Sequence, residues 1–276
     1  MKQRRICLSL VLGLLWLLVA GGVTAETELP PFGVFTMLEG QDVEVCEACL
    51  NAFKAIESWP DSGGLSGCER NYDSAYGFST PQWTDLPPLK HLALLKQVML
   101  FLGPVNPDFY GTGKSSMYEG TMYETDETFR RQITKRLEYD RYALAQTKVD
   151  IDNDGHPDLV TKYRDGVCGD SEYGSRSYAS QALVVFTADR KTIDSSKTNV
   201  VMQNSGKRPG HPAGNVGGQL YDMFKYQGHF YFDKWDNDVL ERDTFSVYRA
   251  KGDHVQRLCK YRYERRYQSK IQGEKP

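Results

Sequence analysis

The chain has 276 residues, with 34 Lys+Arg, 36 Asp+Glu, 40% hydrophobic and 12% aromatic content. That length supports one or two ordinary cores, and 12 Phe with 17 Tyr make it too apolar for a disordered chain. The balanced charge leaves no basic footprint for nucleic acid.

Residues 1–25 read as a secretory signal peptide. Lys2, Arg4 and Arg5 form a positive start, Ile6 to Ala20 is an apolar run, and Val23-Thr24-Ala25 offers small residues before Glu26. The run falls short of the roughly 18–20 residues that a spanning helix needs. Cleavage is therefore expected, leaving a periplasmic or secreted chain with no membrane span. Losing the leader leaves 31 basic against 36 acidic residues, an excess that helps solubility and little else.

Cys7 leaves with the leader, so Cys46, Cys49, Cys68, Cys168 and Cys259 remain. In an oxidising compartment they read as bridges, with one thiol left over. The preferred pairing is Cys46–Cys68 with Cys168–Cys259, leaving Cys49 free. Cys49–Cys68 is the close competitor, and a Cys46–Cys49 redox pair lacks the βαβ setting that such a motif needs.

From 26 to 142 the pattern is mainly helical. Cys46, Cys49, Leu50, Phe53 and Ile56 follow one helical face, which Trp59-Pro60 ends. Phe78 to Trp83 is irregular, with two aromatics expected to clamp against a core. Leu89 to Leu102 makes a second helix. A third, capped by Thr125 or Asp126, carries Phe129, Ile133 and Leu137, with Arg130, Arg131, Lys135 and Arg136 on its other faces. From 143 to 267 the period becomes alternating. Strands are expected near 143–151, 158–164, 180–188, 198–203, 219–226, 229–235, 244–250 and 255–263, with a hairpin turning at Gln227-Gly228. A flexible tail, 268–276, follows. Helices first and antiparallel strands later predict an α+β fold.

One motif carries specific chemistry. Asp150-Ile151-Asp152-Asn153-Asp154-Gly155-His156-Pro157-Asp158 sets carboxylates at positions 1, 3, 5 and 9 of a short loop, with Gly155 at the sharp turn. Calcium takes six to eight oxygen ligands, and this spacing wraps them around one ion. The expected ligands are the side chains of Asp150, Asp152, Asp154 and Asp158 and the backbone carbonyl of His156. An EF-hand would need flanking helices and a Glu at position 12, which here is Thr161. The neighbours Thr147-Lys148-Val149 and Leu159-Val160-Thr161 prefer strand instead. The loop therefore resembles the calcium loop of FG-GAP or VCBS repeats, which implies a propeller-blade-like or sandwich-like β region. A single copy gives no support to a full propeller. Linking two strands with such a loop points to one structural Ca2+ rather than a catalytic one.

More broadly, the chain resembles an uncharacterised family of exported proteobacterial proteins. The likeness rests on the helix at Cys46, on Cys68 with Phe78-x-x-Pro-x-Trp83, on the Asp loop, and on Tyr226-x-Gly228-x-x-Tyr231-Phe232-Asp233-x-Trp235 before Leu258-Cys259-Lys260-Tyr261. It brings no activity with it.

Other echoes are weaker. Gly111 to Ser115 imitates the end of a P-loop, but Asp108 stands where the first Gly belongs. Gly169-Asp170-Ser171 imitates a lipase nucleophile block without the preceding strand. His229 with Asp233 offers an acid–base pair that a surface strand explains equally well. No catalytic residue is assigned. The expectation is a non-catalytic calcium-binding envelope protein acting on a protein or polymer partner, as an inhibitor, immunity or accessory protein. The alternative is a secreted hydrolase with a structural calcium.

Overall fold

The computed structural model describes residues 33–54, 70, 72–102, 125–138, 142–166, 180–202, 219–236 and 244–265. Residues 1–32, 103–124 (with Gly111–Ser115) and 266–276, together with Gly169–Ser171, Cys68 and Cys168, lie outside them. Four α-helices and ten strands occur among the described residues. The chain runs β1 (Gly33–Glu39), α1 (Glu44–Lys54), β2 (Phe78–Ser79), β3 (Thr84–Asp85), α2 (Leu92–Leu102) and α3 (Asp126–Leu137). It continues with β4 (Tyr142–Val149), β5 (Asp158–Asp165), β6 (Ser180–Phe186), α4 (Ser195–Val201), β7 (Gln219–Tyr226), β8 (His229–Asp236), β9 (Thr244–Lys251) and β10 (His254–Arg265). The fold is α+β, as the pattern predicts.

All ten strands belong to one open sheet, ordered β1-β10-β9-β8-β7-β6-β5-β4-β3, with β2 pairing β7 beside that path. Neighbours are antiparallel except β6 and β7, which touch through the single parallel pair Gln181 and Leu220. Farther along β7 that flank passes to β2, where Phe78 pairs with Tyr226.

Helices cover both faces. On α1, Val45, Cys46, Cys49, Ala52 and Phe53 are buried at helical spacing. They pack with Phe224, Tyr231, Trp235, Phe245, Val247 and Tyr261 in one core. The second core gathers Leu95, Val98, Met99 and Leu102 of α2 with Phe129 and Ile133 of α3. It rests on Leu183 and Val185 of β6, Met223 of β7 and Phe232 of β8. Alternation explains how one strand serves both: along β7, Leu220 and Phe224 enter the first core, Tyr221 and Met223 the second. The aromatic pair expected to clamp does so on both sides, Phe78 in the first core and Trp83 against the second.

The β7–β8 hairpin turns at Gln227-Gly228 as predicted. Both residues have positive φ, 46° and 84°, the type I′ geometry that matches strand twist.

Three expectations are corrected. Residues 198–203 are expected as a strand, but Thr198–Val201 belong to α4. Asp194 caps that helix by accepting a hydrogen bond from the Lys197 amide, and Thr198, Val201 and Met202 are buried at helical spacing. The region 26–142 is not helical throughout: β1 supplies the sheet edge beside β10, and β2 and β3 join it too. Finally, Cys46 bonds Cys259, not Cys68, and Cys259 does not bond Cys168. The bridge spans a sequence separation of 213 residues and fastens α1 to β10. Sheet pairing of β1 with β10 is what brings them together, and local spacing carries no trace of it. Cys49 is free and buried, as anticipated.

Candidate metal centre

The Asp loop connects β4 to β5, whose ladder runs from Tyr142–Asp165 to Val149–Asp158. It is therefore a hairpin loop with strands on both sides, as its flanks predict. Inside it the carboxylates satisfy backbone donors. Asp150 accepts from the Asp154 amide at 2.8 Å and the Gly155 amide at 2.9 Å. Asp154 accepts from the His156 amide at 2.8 Å, and that bond, more than anything else, holds the Asp154 carboxyl below the usual range. Asn153 and Gly155 take positive φ, 56° and 92°, which curls the chain and aims successive side chains inward.

Ligand oxygens of Asp150, Asp152 and Asp158 all lie within 4.8 Å of one another. Oxygens bound to one calcium at about 2.3–2.6 Å can be no farther apart than roughly 4.6–5.2 Å, so this group fits a single ion. Asp152 is 2% exposed. The Asp158 Oδ2 atom is buried with no hydrogen-bond partner, and burial pushes that carboxyl's pKa up. An unsatisfied buried carboxylate oxygen is costly unless a cation meets it. The donor set is all hard oxygen, which suits calcium. Of the five expected ligands, Asp154 does not converge with these three, and His156 keeps its ring exposed beside Asp154 at 3.3 Å.

Two residues that the sequence does not single out complete the site. Asn153 donates to the carbonyls of Phe230 and Ala250, each at 3.1 Å, and accepts from the Phe230 amide at 2.9 Å. The Gly252 amide adds a bond to the Asp152 carbonyl at 3.1 Å. The loop is thus bound to the start of β8 and to the β9–β10 turn. Lys197, in the first turn of α4, sets its ammonium 2.8 Å from both Asp152 Oδ2 and Asp158 Oδ1, and 3.4 Å from Asp154 Oδ2. Burial pulls the pKa of that ammonium down, but its hydrogen bonds to Asp152 and Asp158 outweigh burial and leave it raised. Three loop carboxylates face this one cation, so an excess of negative charge remains. Only tertiary contacts bring Asn153 and Lys197 to these places; the local signal is an Asn within the Asp-rich turn, a residue type that tolerates positive φ.

A second polar cluster lies inside the first core. Asp233 of β8 is fully buried. It pairs with Arg70 at 2.8 Å and accepts from the Tyr72 hydroxyl at 2.5 Å. Burial drives its pKa up to about 7 against the pull of Arg70. The neighbouring Asp222 pairs with Lys162 at 3.3 Å, whose ammonium lies 4.5 Å from the Trp83 ring centre. His229 is not part of this: its exposed ring meets Arg249 at 2.9 Å, so the suggested His229–Asp233 pair is not assembled. The Cys49 thiol, its pKa raised by burial, is not a poised nucleophile.

No described helix is long and apolar enough to cross a membrane. Compared with known proteins, the chain matches no family model, no curated protein and no solved structure.

Proposed function

We propose that the chain is an exported, non-catalytic calcium-binding protein of the cell envelope, periplasmic or secreted. It acts by binding another protein or an envelope polymer, in an inhibitory, immunity or accessory role. The observation that carries the calcium reading is the convergence of Asp150, Asp152 and Asp158 on one point of the β4–β5 loop. Asp150, Asp152 and Asp158 would hold the ion through carboxylate oxygens, with Asp154 and the His156 carbonyl as the further ligands implied by the FG-GAP or VCBS resemblance. In the same reading β4, the loop and β5 form a blade-like unit. The ion supplies charge neutralisation, and the loop's bonds to Phe230, Ala250 and Gly252 carry the resulting order into β8, β9 and β10. The role is structural, and extracellular calcium modules bind as weakly as about 10⁻⁴–10⁻³ M.

The test combines calorimetric titration with thermal unfolding. Calcium should bind once per chain and raise the Tm of the wild type, and Asp150→Asn with Asp152→Asn should abolish both effects. A wild type that neither binds calcium nor gains stability would reject the site. Turnover on peptidoglycan, glycan or ester substrates would replace the binding role with that of a secreted hydrolase.

A further inference from the structure

Lys197 does more than balance charge. Its ammonium touches Asp152 and Asp158 at 2.8 Å each, and both belong to the group that converges for a metal. An ammonium and a divalent cation drawn to the same carboxylate pair repel each other across a few ångströms, so each weakens the other's hold. Its position is fixed by the fold. Asp194 caps α4 through the Lys197 amide, and Thr198 binds the Val185 amide at 2.9 Å, so the backbone beneath the side chain is anchored on β6. The side chain itself is 28% exposed, so the ammonium has a way out to water along its flexible stem. On the other side, Asp158 Oδ2 stays buried without a hydrogen bond while Oδ1 meets Lys197. One ammonium does not saturate the site.

We infer that Lys197 is a tethered competitor for the calcium site, a built-in monovalent cation that occupies Asp152 and Asp158 until a divalent ion displaces it. The inference rests on the calcium reading above and adds the regulation of that site. Without calcium, the ammonium keeps the loop closed and offsets the repulsion among Asp152, Asp154 and Asp158. With calcium, Asp152 and Asp158 transfer to the ion and Lys197 swings into solvent. Each binding event must break the ammonium's contacts first, so the loop's affinity is set below what its carboxylates alone would give, and an ion is held only where calcium is abundant.

Titrating the full chain with calcium chloride by calorimetry tests this. Lys197→Met should tighten calcium binding by about tenfold or more, and Lys197→Arg, which keeps the charge, should stay near wild type. Lys197→Gln guards against a misfolded Met variant: it retains a polar end and should also bind more tightly, with circular dichroism confirming the fold of each. If wild type binds and the uncharged variants bind equally or more weakly, the competition is overturned and the calcium site stands. If the uncharged variants bind where wild type does not, competition is upheld in its strongest form. If no variant binds at millimolar calcium, the site and this inference fall together.

Discussion

Asn153 shows how one side chain can matter without touching a ligand. It holds a left-handed backbone conformation and three hydrogen bonds to the segments around Phe230 and Ala250. Asn153→Gly keeps the conformation and loses the bonds, which should cost about 2–3 kcal/mol at roughly 1 kcal/mol each. Asn153→Ala adds about 1 kcal/mol for the left-handed backbone. Urea unfolding of the pair, with unchanged m-values, separates the two contributions. Asp233 gives a pH prediction of a different kind. Its carboxyl holds a proton up to about pH 7 in the fold, whereas an unfolded Asp loses it near pH 4. Over that window the native chain binds more protons than the unfolded one, so stability falls as pH rises. Asp233→Asn has no proton to lose, and its Tm should change less between pH 5 and 7.5 than that of the wild type.

Secondary-structure elements were legible where periodicity and turn chemistry agreed. Every strand from β4 to β10 was expected within a few residues, because apolar or alternating runs and the Gly, Asn or Asp turns that bound them point the same way. The misreadings share a cause. Around Thr198-Asn199-Val200-Val201, the β-branched residues outvoted a cap formed by Asp194, and β1, though the turn at Gly40 ends it, owes its place to pairing with the distant β10. Two glycines show what a turn demands. Gly228 has φ 84° but open space where a Cβ would go, so Gly228→Ala should cost only about 1 kcal/mol. Gly40 has φ 96°, and a Cβ there would meet the Leu258 carbonyl at 2.5 Å and Cys46 Sγ at 2.8 Å. Gly40→Ala must push backbone or bridge aside, and its loss, measured by the same unfolding experiment, should exceed that of Gly228→Ala several-fold.

Across the whole molecule, the β1–β10 ladder and the Cys46–Cys259 bridge join the two ends of the described fold. In the chain-entropy model, closing a loop across 213 residues of separation adds about 5 kcal/mol. Non-reducing peptide mapping should recover the fragments carrying Cys46 and Cys259 joined, and Cys259→Ser should lower unfolding free energy by about 3–5 kcal/mol. The carboxylates of the loop were legible because their chemistry is encoded within nine consecutive positions. The bridge, Lys197 and Arg70 were not, because each is defined by strand order rather than by neighbours in the chain. The ladder has a mechanical meaning as well. Gly33 sits opposite Arg265, so tension applied to those two points would unzip β1 from β10 one rung at a time. It would then arrive at the sulfur–sulfur bond, through which the load passes. Everything between Cys46 and Cys259, the Asp loop included, lies off the line of force.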